Sequence, residues 1–229
     1  RSAALFAVLP AALLPTVATA QSGTNFPTRP VRMLIGFAPG GPSDILGRVV
    51  APKLTELLGQ TVVIENVPGA GGMTGVSRVA SGPADGYQIA FGGVDTLAIN
   101  QTLYKKPLYN AATDFAPVGL VTEQPMVLIA RKDFPADDMK GFIAHTKANA
   151  GKMQYASSGV GSGSHLTCAR LNAAMGVDVT HVTYRGSAQA MQDLFAGTQP
   201  YVGLKKRLLL NLNRSLFEIA GNLVPRPAR

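Results

Sequence analysis

Two stretches of this 229-residue chain gather the residue types that can hold a charged small molecule or attack one. One is Ala38-Pro39-Gly40-Gly41-Pro42-Ser43-Asp44; the other runs from Ser157 through Ser158, Gly159, Val160, Gly161, Ser162, Gly163 and Ser164 to His165. Each breaks off a short apolar run and opens a helical periodicity. Such a loop turns several backbone N–H groups into one concavity at the positive end of a helix dipole, which suits an anion without any charged side chain. The second loop adds hydroxyls from Ser157, Ser158, Ser162 and Ser164, which donate to an anion or hold water. The first loop lacks the GxxxxGK[ST] spacing, and no lysine stands where it would reach a terminal phosphate, so a nucleotide site is disfavoured. From spacing alone, Gly40 and Gly41 serve equally well as a tight strand-to-helix turn.

The competing enzyme chemistry is a Ser/His hydrolase, with His165 beside the serines and Asp193 or Asp178 as a third member. The GxSxG elbow is missing, because Gly161-Ser162-Gly163-Ser164 has the wrong spacing. His165 falls in a first helical turn, where it suits a structural or ligand-orienting role better than that of a general base. His145 and His181 are isolated, and neither a metal constellation nor a pair of catalytic carboxylates emerges. Cys168 is the single cysteine, which precludes an intramolecular disulfide, and it is expected to pack inside a helix.

These loops need strands and helices to aim them. Val31 to Phe37 reads as a buried parallel strand, and apolar residues from Ile45 to Leu58 as a helix capped by Ser43 or Asp44 and stopped by Gly59. Pro52 should kink or shorten that helix. Thr61–Glu65 and Gln88–Gly92 read as strands, with a second glycine loop, Asn66–Gly75, whose plainest role is close backbone packing beside the first. Thr96–Leu103 reads as a helix, Ala116–Val121 and Met126–Ala130 as strands, and Asp137–Asn149 as an amphipathic helix. A strand near Met153, a helix at 164–175 ended by Gly176, a strand at 179–184 and a helix at 188–195 complete an α/β alternation.

Composition sets the class: 46% hydrophobic and 15% charged residues, with 25 glycines, belong to a globular protein with ample core. The net charge of +8 is concentrated beyond residue 197, where six basic residues face one acid, so it is a poor guide to a partner. Nucleic acid is disfavoured, since the basic tail has no aromatic interleaving. Arg1–Ala20 reads as a partial secretory signal cleaved before Gln21.

The segments FAPGGPSD (37–44), LGQTVVIENVPGAGGMTG (58–75), ADGYQIAFG (84–92), NQTLY (100–104), DFAPVGLV (114–121), GKMQYASSGVGSGSHL (151–166) and HVTYRGSAQAMQDLFAG (181–197) occur in the order found in one family. They resemble the Bug family, the periplasmic substrate-binding proteins of tripartite tricarboxylate transporters. The resemblance implies a periplasmic-binding-protein-like α/β fold of two α/β domains with a ligand cleft between them. It implies a periplasmic monomer, not an enzyme, that binds a di- or tricarboxylate or similar organic acid without cofactor or metal and delivers it to membrane permease subunits. It places ligand contacts at Ala38, Gly40, Gly41, Ser157, Ser158, Gly159, Gly161 and Ser162, with Asp44 and His165 supporting the loops; Gly93–Asn100 matches a segment lining the hinge side. The Ser157 and Ser162 hydroxyls are expected to matter more to affinity than His165. Departures are Ala38 where a proline is usual, Arg185 where a lysine is common, and Pro52.

The implied organisation is a partial signal at 1–20, a first domain at 21–98, a second at 99–197 and an atypical basic tail at 198–229. Family-like sequence stops near Gly197, so the second domain and the return to the first are expected to be incomplete, as after a frameshift. A chain so ended is expected to be poorly stable and to bind weakly.

Overall fold

A computed structural model describes residues 26–197. The signal-like segment 1–20 and the basic tail 198–229 lie outside the described residues.

β1 (Val31–Ile35) is central in a three-stranded parallel sheet of order β2-β1-β3, with β2 at Val62–Asn66 and β3 at Gln88–Phe91. Val31 pairs with Val62 and Met33 with both Ile64 and Ile89, so β1 is flanked by a strand on each side. Val31, Met33, Leu34 and Ile35 are fully buried, as their nearly unbroken apolar run requires. Arg32 alone points outward, where it pairs with Glu65 of β2.

α1 (Pro42–Leu58) returns the chain across this sheet and ends at Gly59 in the left-handed C-cap. Its N-cap is Gly41, not Ser43 or Asp44, because Pro42 takes the first helical position, where its fixed φ and missing N–H cost nothing. Pro52 does not shorten the helix, which continues six residues beyond it to Leu58. The second glycine loop forms a 3-10 turn (Ala70–Gly72) leading into α2 (Met73–Ala80). After β3 a π turn (Asp95–Ile99) continues into α3 (Asn100–Leu103), as the helical reading of 96–103 anticipated.

The strands expected at 116–121 and 126–130 do not form; the segment is irregular apart from an isolated bridge at Ala130. A strand persists only when a neighbour takes its backbone hydrogen bonds, and among the described residues none runs alongside. Val118 and Leu120 are accordingly 93% and 81% exposed.

The second sheet is a parallel pair, β4 (Gln154–Ser157) with β5 (Thr180–Thr183). α4 (Met139–Asn149) precedes it, capped by Asp138, whose carboxylate accepts the Gly141 N–H at 2.7 Å. α5 (Gly163–Met175) links its strands, and α6 (Ser187–Phe195) follows β5. Two strands alone are marginal in water, and here a core of Leu128, Phe134, Phe142, Met153, Tyr155, Cys168, Met175 and Val179 supports them. Cys168 packs inside α5 as expected, and burial pushes its thiol pKa up to about 12.

Candidate functional site

All five strands are parallel within their sheets, so the loops after β1, β4 and β5 leave from carboxyl ends, the edge at which open α/β sheets bind ligands. β1 is also the switch point of its sheet, since the chain goes to β2 on one side and to β3 on the other. Backbone contacts draw these loops into one ring. The Ala38 N–H donates to the Arg185 carbonyl at 3.2 Å, and the Tyr184 N–H to the Ser157 carbonyl at 2.9 Å. The loop after β1 therefore touches the β5–α6 loop, which touches the loop after β4.

The second glycine loop closes the ring. A Cβ on Gly36 would lie 1.9 Å from the Gly72 carbonyl oxygen, and one on Gly71 would lie 2.4 Å from the Val160 carbonyl oxygen. Only glycines permit both approaches, which bears out the close backbone packing expected of this loop. Tyr104 fastens the same joint, its hydroxyl donating to the Val160 carbonyl at 2.8 Å.

Within the first loop, Ala38 is half-buried, Gly40 exposed, Gly41 buried and Asp44 buried. Asp44 reaches back one helical turn: its Oδ2 accepts the Gly40 N–H and the Arg48 Nε–H, both at 2.9 Å. Burial opposes the Asp44 charge, but the Arg48 side chain, the Gly40 N–H and the Asn66 amide outweigh it and hold the carboxyl below its usual range. Asp44 is thus a support of the loop. Helix geometry leaves the Ser43 and Asp44 N–H groups without intrahelical partners, aimed out of the α1 N-terminus.

The second loop is bonded largely to itself. The Ser158 N–H donates to Ser164 Oγ, Gly159 N–H to Ser157 Oγ, Gly161 N–H to His165 Nδ1, and Ser162 N–H to the Gly159 carbonyl. Ser162 is fully buried and caps α5, accepting the His165 N–H while its hydroxyl donates to the Gly159 carbonyl at 2.7 Å. Ser157 is also buried, with its Oγ 2.6 Å from His181 Nε2. Neither hydroxyl faces an opening, whereas Ser158 and Ser164 are half-buried and 3.0 Å apart, one hydroxyl to the other.

Tyr155, His181 and His165 form a stack, with 4.7 Å between the first two ring centroids and 4.3 Å between the two imidazoles. Burial, then the neighbouring His165, brings the His181 pKa down to about 4, and burial also lowers that of His165. Both rings are neutral at pH 7. The hydrolase chemistry has no support here. The His165 ring nitrogen is engaged by Gly161 rather than Ser162, Ser157 is sealed from solvent, and Asp193 is bonded to the Tyr184 hydroxyl at 2.6 Å.

Asp95 was not among the residues singled out from sequence, although the Gly93–Asn100 segment was. Its Oδ2 accepts the Gly163 N–H at 2.9 Å and its Oδ1 the Thr96 N–H at 2.8 Å, which seats a carboxylate of this chain on the α5 N-terminus. Burial raises the Asp95 pKa, and the bonds from Gly163 and Thr96 work against that. An acid in a segment without charged neighbours was the available signal.

The model of the tripartite tricarboxylate transporter family receptor, TctC, matches residues 46–203. A UPF0065 protein of Bordetella pertussis is 37% identical over 185 residues, covering 81% of this chain and 57% of the relative. The solved structure of the periplasmic binding protein BugD superposes with a TM-score of 0.73 at 40% identity, over 77% of this chain and 58% of that one. MatC of Rhodopseudomonas palustris with bound malate gives a TM-score of 0.74 at 37% identity, over 77% of this chain and 60% of that one. The chain thus spans a little over half the length of the curated relative it matches. The fold is that of the periplasmic binding proteins, and the chain, which is similar to the Bug protein BugD, belongs to the TctC family of tripartite tricarboxylate transporter receptors.

Proposed function

We propose that this chain is the solute-capturing part of a periplasmic receptor, which binds a small carboxylate between loops 38–44 and 157–165 and presents it to the permease subunits of a tripartite tricarboxylate transporter. It binds without catalysis. The observation that carries this reading is the ring of loops at the carboxyl ends of β1, β4 and β5, joined by the Ala38–Arg185 and Tyr184–Ser157 backbone bonds and opening at the α1 N-terminus. Family membership and the malate-bound relative support it.

The roles divide by what each residue has left to offer. The Ser43 and Asp44 N–H groups at α1, and the half-buried hydroxyls of Ser158 and Ser164, face the ligand. Ala38, Gly40, Gly41, Gly159 and Gly161 shape the backbone around it. Ser157, Ser162, Asp44 and His165 hold the loops in place. Calorimetric titration of the protein, expressed from its whole reading frame, with a panel of small mono-, di- and tricarboxylates tests the proposal. Saturable one-site heat with at least one carboxylate is expected; no heat with any of them, or turnover of an ester substrate, would overturn it.

A further inference from the structure

His165 holds the second loop by a bond that depends on its protonation state. Its Nδ1 accepts the Gly161 N–H at 3.2 Å, which that nitrogen can do only while it carries no proton. Gly161 is where the loop presses against the segment that follows β3: a Cβ there would lie 2.6 Å from Asn100 Oδ1 and 2.9 Å from Tyr104 Cε2. The preceding residue, Val160, gives its carbonyl to the Tyr104 hydroxyl. One imidazole nitrogen thus fixes the residue at which the loops of the two sheets meet.

The neighbouring histidine is not held in this way. The two imidazoles stack at 4.3 Å, but His181 Nε2 meets the Ser157 hydroxyl, which can donate or accept, so His181 keeps its partner when it gains a proton. The Gly161 N–H can only donate, and a proton on His165 Nδ1 sets two N–H groups against each other. The other titratable groups around the stack, among the described residues, are Tyr155 on β4, Cys168 one turn along α5, Asp178 ahead of β5, and Asp95, whose carboxylate accepts the Gly163 N–H. Burial pushes the phenol and the thiol up to about 12, so both stay neutral in acid. The two carboxylates favour a proton on the stack, and burial of the rings opposes it.

We infer that His165 is a proton-sensitive latch on the ligand cleft: neutral, it fixes Gly161 and the second loop against the 95–104 segment; protonated at Nδ1, it frees Gly161 and releases the carboxylate. The inference rests on the carboxylate-receptor reading above and ties capture of the ligand to the pH of its surroundings. Linkage sets the direction. A loop that holds its ligand only with His165 neutral binds more weakly as pH falls through the pKa of the free form. His181, with a pKa of about 4, stays largely neutral down to about pH 5, so the change above that pH belongs to His165.

The test is a pH profile of malate affinity, measured by calorimetry on the protein expressed from its whole reading frame and on His165→Asn, whose side-chain oxygen keeps an acceptor for Gly161 and does not titrate. Between about pH 7.5 and about pH 5 the parent is expected to lose ~10-fold more affinity than the variant, protonation of malate itself being common to both. A second measurement needs neither variant nor ligand: in the parent, the Gly161 amide signal should move with the same midpoint as the His165 ring. Equal profiles, tighter binding of malate by the parent in acid, or a Gly161 amide that stays put while His165 titrates overturns the latch and leaves the receptor reading standing. No heat from malate, succinate or citrate at either pH overturns the receptor reading, and the Gly161 amide then decides whether His165 still gates the loop.

Discussion

Gly71 and Val160 meet so closely that a single methyl group between them would lie 2.4 Å from the Val160 carbonyl oxygen. Gly71 also has φ +62°, in the left-handed region. The two residues belong to different sheets' loops, and their contact is the joint that sets the second loop against the first sheet. Gly71→Ala should cost about 3 kcal/mol of stability, from overpacking and left-handed strain together. Gly119→Ala, where a Cβ meets nothing within 4 Å, is the matched control and should be near neutral. Urea unfolding of both variants checks this; equal midpoints would remove the joint.

Ser162 and Ser158 should separate by readout. Ser162→Ala deletes the α5 cap and the bond to the Gly159 carbonyl, and is expected to lower stability by about 1 to 2 kcal/mol. Ser158→Ala touches a half-buried hydroxyl pair and should leave stability within about 0.5 kcal/mol. Its effect should appear in carboxylate affinity, weakened roughly tenfold if the hydroxyl meets the ligand. Thermal unfolding paired with calorimetry on the two variants decides between these assignments.

Acid should unlock the histidine stack. The folded His181 pKa of about 4 lies below the ordinary value near 6.5, so between those limits the unfolded chain binds the extra proton. The resulting stability is fully present above pH 6.5 and is lost as pH falls toward 4, on the order of 2 kcal/mol once partial solvent access is discounted. Asp95 works in the opposite sense, since its raised pKa makes the folded state take up the proton first. The informative quantity is therefore a difference: His181→Gln should flatten the decline of melting temperature between pH 6.5 and 4 relative to the parent protein. An unchanged slope would mean that His181 is not neutralised by its surroundings.

Asp44 should behave as a brace. Asp44→Ala leaves the Gly40 N–H and the Arg48 guanidinium without their shared acceptor, at an expected cost of about 1 to 2 kcal/mol. Asp44→Asn keeps an acceptor for Gly40 and should recover roughly half of that loss. Unfolding midpoints in the order parent, Asn, Ala are predicted.

How much of this was legible in the sequence depends on the range of the interaction that decides each feature. β1 and α1 were readable because a buried parallel strand is apolar throughout and a helix ends at its glycine: both signals are local. The strands at 116–121 and 126–130 were not, because a pleated apolar run becomes a strand only when another backbone comes alongside. The shortening expected at Pro52 failed for a related reason, since packing of a 17-residue helix against its sheet overrides one lost hydrogen bond. In the site, the two loops could be located from their glycines, but not which hydroxyls face inward. Ser157 and Ser162 are spoken for by His181 and Gly159, partners that sequence spacing does not reveal, and Asp95 reaches Gly163 across 68 residues.

The central claim, that one carboxylate is held between the two loops, is tested most directly by backbone amide NMR of the isotopically labelled protein, titrated with the tightest-binding acid of the calorimetric panel. The account predicts saturable shifts concentrated at Gly41–Asp44 and Ser158–His165, with 62–66 and 139–149 unmoved. Shifts concentrated elsewhere, or confined to one loop while the other stays silent at saturation, would contradict it.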